Sequence, residues 1–128
     1  MRVIYIFLFS TLLFGNSYEV KLYETLFTKL FKKSDINIFV DENKEDFKNS
    51  EILNVVDKCN KADIILLYSL KKMKCNKPIF VTSYIDFINT EAIGAFYWRK
   101  GRPQIILNKR MLKKYHLFLD KSLLKYAK

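Results

Sequence analysis

The chain has 128 residues, half of them hydrophobic, and a formal net charge of +10. That length suits one domain with a single core. Three glycines are too few for a phosphate-cradling loop, and no repeat or Gly/Ser linker divides the chain. The charge is unevenly placed: residues 17–98 hold 12 Lys against 12 Asp or Glu, whereas residues 99–128 hold 10 Lys or Arg against the single acid Asp120.

Met1-Arg2 is followed by an almost unbroken apolar run, Val3 to Phe14, and then by Gly15-Asn16-Ser17. Charge, apolar core and small-residue exit are the layout of a secretory signal peptide. Residues 1–17 are therefore expected to be removed, leaving residues 18–128 as one domain. An uncleaved anchor is the alternative, although the run is short against the roughly 20 apolar residues of a membrane helix. Richness in Lys, Asn, Ile, Phe and Tyr fits an A+T-rich bacterial genome, and an exported protein of such a cell would be periplasmic or secreted.

Residues 18–32 place Val20, Tyr23, Leu26, Phe27, Leu30 and Phe31 at spacings of three and four, which predicts an amphipathic helix. INIFV (36–40) reads as a short strand, and Asp41 to Asn49 as a polar loop. Ser50 is a candidate N-cap for a helix through Lys58 that would bury Ile52, Leu53, Val55 and Val56. ADIILLYS (62–69) is a continuous apolar run of the kind buried on both faces of a parallel sheet. IFVTS (79–83) is a further strand and YIDFINT a short helix or helical turn. AIGAFYW (92–98) and PQIIL (103–107) are strands joined by Arg99-Lys100-Gly101-Arg102, with Gly101 supplying a positive φ for the turn. Asn108 caps a last helix, and Asp120 a final turn. The expectation is an α/β fold: a small single-domain sheet, mainly parallel, with a C-terminal antiparallel hairpin and flanking helices.

Cys59 and Cys75 each precede a predicted strand, so in a parallel sheet both lie at its N-terminal edge. A disulfide is the leading reading for an even pair in an exported chain; two free buried thiols are the alternative. Two thiols without a nearby His make a poor zinc site, so no metal and no cofactor is expected.

No nucleophile elbow, zinc-protease, Walker or dinucleotide pattern is present, and Asp57, Asp63 and Asp86 form no acid/base pair by spacing. Asp63, at the head of a buried strand, is expected to accept from backbone amides, and His116 to sit at the surface. These readings point away from an enzyme.

The basic hairpin is the remaining feature. Gatekeeper charges that blunt an edge strand would explain it without any function. The functional reading takes Tyr97, Trp98, Arg99, Lys100 and Arg102 together with Lys109, Arg110 and Lys113 as a docking surface, since aromatic rings beside guanidinium groups mark interface hot spots. Its partner would be an acidic protein face, anionic lipid headgroups or a second copy of the chain. An exported chain rarely meets nucleic acid, which is set aside.

In order of features, the C-terminal part resembles the YfiR-like periplasmic proteins, repressors of membrane-bound diguanylate cyclases. The resemblance rests on CNKADIILL from Cys59, PIFVTSYIDF across Ile79 to Phe87, IGAFYWRKGRPQIILN from Ile93 to Asn108, and LLKYA with Leu123, Leu124 and Ala127. It spans residues 59–127. The chain lacks the family's Trp-Pro stretch after the opening helix and carries Ile93-Gly94 where the family has paired glycines. The resemblance implies a non-catalytic periplasmic protein that binds the sensory region of an inner-membrane signalling protein. A small periplasmic solute-binding domain for an anionic ligand is the alternative function.

Overall fold

The computed structural model describes residues 15–128. The apolar part of the predicted signal segment lies outside the described residues, and Gly15-Asn16-Ser17, read as its exit, form the first turn of helix α1 (Gly15–Phe31). The apolar stripe of α1 is buried at Val20, Tyr23, Leu26, Phe27 and Leu30. The helix stops where Lys32 turns left-handed at φ 53.

Six strands form one sheet: β1 (Ile36–Val40), β2 (Leu53–Val55), β3 (Ile64–Leu67), β4 (Ile79–Val81), β5 (Gly94–Arg99) and β6 (Arg102–Leu107). Their order is β2-β1-β3-β4-β5-β6. Strands β1 to β5 are parallel, and β6 closes an antiparallel hairpin with β5. Short helices α2 (Tyr84–Ile88) and α3 (Lys109–Lys114) follow β4 and β6. The expected architecture, an α/β sheet that is mainly parallel with a C-terminal hairpin, is the one observed.

One expectation is corrected. Residues 50–58 form no helix; Leu53–Val55 is an edge strand parallel to β1, with Ile36 opposite Leu53. The Ser50 hydroxyl does accept from the amides of Ile52 and Leu53, at 3.2 and 2.9 Å, as a cap would. The residues after Ser50 are extended because the free edge of β1 offers backbone partners to a β-branched run. The polar segment before Ser50 contains a 3-10 turn, Lys44–Phe47, whose Phe47 is buried.

The strands alternate between two faces. Ile36, Ile38, Ile64, Leu66, Phe80, Phe96 and Leu107 pack under α1. Tyr23 is the hub there: its ring lies 5.4 to 6.1 Å from those of Phe27, Phe47, Phe80 and Phe96. Ile65, Leu67, Val81, Ala95 and Ile106 form the second face, covered by Met73, Phe87 and the two cysteines. Its cover is slight, a five-residue helix and the irregular chain between β3 and β4. Ile93, just ahead of β5, packs on the α1 side.

Cys59 and Cys75 are bonded at the N-terminal edge of the sheet, with Cα atoms 6.0 Å apart. Such bonds persist in oxidising compartments. Among the described residues no helix is long and apolar enough to cross a membrane. Asp63 accepts from the Asn37 amide at 2.8 Å and pairs with Lys33 at 2.8 Å, the structural role expected of it. His116 is exposed, at φ 57.

Gly94 has no room for a side chain. A Cβ there would sit 2.7 Å from Leu107 Cδ2 and 2.8 Å from both the Ile106 carbonyl and Phe80 Cε2. Gly94→Ala is expected to destabilise the fold by about 2 kcal/mol, the cost of overpacking a core. Denaturant midpoints at constant slope would measure it.

Candidate functional site

In open α/β sheets ligands bind beyond the carboxyl ends of the strands, where the strand order reverses. Here that point lies between β1 and β3, and Asp41 fills it. The Asp41 carboxylate accepts from the amides of Tyr68 (2.8 Å) and Ser69 (3.1 Å) and pairs with Lys71 at 3.3 Å, its side chain only 3 % exposed. The Ser69 hydroxyl donates to Glu42 at 2.8 Å. The chain leaving β3 is thus tied across the end of β1, and the carboxylate is occupied by internal partners. Nearby, burial pushes the hydroxyls of Tyr23 and Tyr68 well above their ordinary pKa. Glu19 adds to both shifts, and Asp46, Asp41 and Glu42 add to that of Tyr68.

The hairpin tip projects from the same edge. Arg99 lies directly opposite Arg102, and Lys100 and Gly101 make a two-residue turn with φ of 52 and 75. Positive φ at both central positions is the type I′ geometry that matches strand twist. The sequence assigns that conformation to Gly101; Lys100 takes it too, at a steric cost. Lys100→Asn should therefore stabilise the protein by about 0.5 kcal/mol, visible as a raised melting temperature.

Because cross-strand partners share a face, Arg99 and Arg102 bring like charges together, an arrangement that destabilises a hairpin. Among the described residues no carboxylate lies within ion-pair range of Arg99, Lys100 or Arg102. Two aromatic residues lead into them, on opposite faces. Tyr97 lies on the second face, its ring 5.9 Å from that of Tyr84 on α2. Trp98 lies on the α1 face, 50 % exposed but held in place: its ring is 6.1 Å from that of Tyr18 and 5.7 Å from that of Phe96, and its indole N–H donates to Glu19 Oε1 at 3.1 Å. The Glu19 carboxylate, brought to the tip by α1, is therefore occupied by the indole.

The eight residues expected to act as one surface fall into two groups. Tyr97, Trp98, Arg99, Lys100 and Arg102 converge at the carboxyl edge. Lys109, Arg110 and Lys113 lie on α3, beyond the far end of β6, where Asn108 Oδ1 accepts from the Met111 amide at 3.2 Å to start the helix. The intervening strand spans roughly 17 Å at about 3.3 Å per residue. Arg110 also pairs with Glu91, at 3.6 Å. The tail turns back beside β6: Lys128 N–H donates to the Leu107 carbonyl at 2.8 Å, and Ala127 bridges Leu107. Asp120 starts the last 3-10 turn by accepting from Ser122, whose hydroxyl and amide hold its carboxyl below the usual range.

Asp41 and the outward face of α2 were not singled out by sequence. For Asp41 the available signal was a carboxylate directly after a strand with alternating burial; for α2 it was three apolar residues, Tyr84, Ile85 and Ile88, in a helix too short to bury them all.

No family model matches the chain, and no curated protein does. Among solved structures it is similar to a conserved domain protein from Vibrio cholerae O1 biovar El Tor, with 12 % sequence identity and a TM-score of 0.56 over 84 % of this chain. The match covers 58 % of the Vibrio protein, so the chain spans a little over half its length. At that identity the likeness is one of fold alone.

Proposed function

We propose that the protein is a non-catalytic periplasmic regulatory module that docks its hairpin tip on an acidic surface of an inner-membrane signalling protein. The observation that carries this reading is the Arg99–Arg102 pair. Two arginines share one face of the hairpin with no carboxylate in ion-pair range among the described residues, and the other face carries an indole that is half exposed yet held by Glu19. The arrangement works against hairpin stability and in favour of an incoming anion. An aromatic anchor that is fixed before contact loses little entropy on binding. The disulfide supports an oxidising compartment, and the resemblance to YfiR-like repressors favours a diguanylate cyclase or sensor kinase as the partner.

The alternative, a solute-binding domain for an anion, has the strand-order crevice against it, since Asp41 places a negative charge there and has its bonds satisfied within the chain. A melting-temperature screen with phosphate, sulfate and small carboxylates addresses it, because a bound anion raises the midpoint by linkage. The docking reading is tested by capture from solubilised inner membranes, with wild type and with Arg99, Lys100 and Arg102 changed to Glu. A signalling protein retained by wild type and lost from the Glu variant is the expected result. Equal capture by both forms would refute the tip as the contact.

A further inference from the structure

The second face of the sheet carries an apolar ridge that the fold leaves uncovered. On α2, Tyr84, Ile85 and Ile88 are 46 %, 66 % and 58 % exposed, while Phe87 turns inward to the core. Ile85 and Ile88 stand one turn apart on one side of the helix. Between α2 and the end of β5 runs a cleft of about 510 Å³ lined by Tyr84, Ile85, Tyr97 and Arg99. Residues 78–98, which build α2 and most of β5, contain no Lys or Arg, although the whole chain has 23. Cations return at Arg99 and Arg102, which share one face at the end of this ridge and, among the described residues, have no acidic partner.

We propose that this ridge and cleft receive an amphipathic helix of the partner, its apolar stripe on Ile85, Ile88 and Tyr97 and its flanking carboxylates on Arg99 and Arg102. The inference rests on the docking reading and names the element that docks. A helix with apolar anchors three and four residues apart fits a short ridge beside a cleft, and charge complementarity at one end sets its direction and register. A second copy is a poor occupant, since it would bring another excess of positive charge to a rim that is already basic.

The test uses two synthetic helical peptides with the same leucine stripe, one flanked by Glu and one by Lys. A fluorescein on each peptide reports binding by its anisotropy, since the Trp98 indole lies on the α1 face, away from the ridge. The Glu peptide is expected to bind, with affinity falling about tenfold in the Ile85→Ser/Ile88→Ser variant, which leaves every charge in place. Those side chains are exposed, so the variant should melt as wild type does. Equal binding by wild type and this variant would overturn the proposal, as simple attraction to a basic protein. So would concentration-dependent dimerisation, lost in the same variant, without peptide binding. If the tip variant loses its membrane partner while the Ser variant binds peptide normally, the docking reading stands and the ridge falls. If the tip variant keeps its membrane partner, the docking reading falls, and the ridge, which takes its register from Arg99 and Arg102, falls with it.

Discussion

Tyr23→Ala is expected to lower stability by about 4 kcal/mol, the range for emptying a buried aromatic site. The Tyr23 ring is 1 % exposed and touches rings from α1, the 3-10 turn before β2, β4 and β5. One side chain therefore joins the helix to three other parts of the fold. Tyr23→Phe keeps those contacts and should recover most of the loss. Chemical unfolding of the three proteins measures this, and Trp98 reports the consequence for the site. Phe96 touches both Tyr23 and Trp98, so loosening the hub should make the indole more mobile and lower its fluorescence anisotropy.

Cys59→Ser/Cys75→Ser is expected to lower stability by about 3 kcal/mol, the chain-entropy value for closing a loop of this size. The bond joins residues 16 apart and clamps the irregular chain between β3 and β4 over the second face. That segment has no helix of its own and carries Lys71, Lys72, Lys74 and Lys77. The serine variant should become sensitive to trypsin there under native conditions, whereas the oxidised protein should resist. An unchanged midpoint and an unchanged digestion pattern would mean that backbone bonds and Asp41 hold the loop unaided. The two faces of the sheet thus depend on different devices: an aromatic hub under α1, and a covalent clamp opposite.

Much of this was legible in the residues. β1 and β3 are runs rich in β-branched and aliphatic side chains, and β3 is buried throughout, as the continuous apolar reading expects. The disulfide was expected from the two cysteines standing just ahead of parallel strands. β2 was not legible, because Ile52, Leu53, Val55 and Val56 satisfy helical spacing as well as extended pairing, and Ser50 offers a capping hydroxyl in either case. Only the open edge of β1 decides between them, and that is a tertiary fact.

The site was half legible. A Gly-containing basic turn between two apolar strands identifies a hairpin tip, and the tip is where the strands end. The division of the basic residues has the same hairpin as its cause, since a strand separates its own two ends, yet closeness in sequence suggested a single surface. The bond from Trp98 to Glu19 spans 79 residues and could not be read without the fold.

If the tip exists for contact rather than for folding, Arg99→Glu separates the two roles within one protein. The new carboxylate would lie opposite Arg102 and replace a repulsive cross-strand pair with an attractive one. The decisive measurement is titration of this variant and of wild type with the captured partner's periplasmic region, with the melting temperature of each recorded alongside. Binding about tenfold weaker in a protein that melts higher is the expected result. Unchanged affinity in the more stable variant would contradict it, leaving the arginines as surface charge on a hairpin edge.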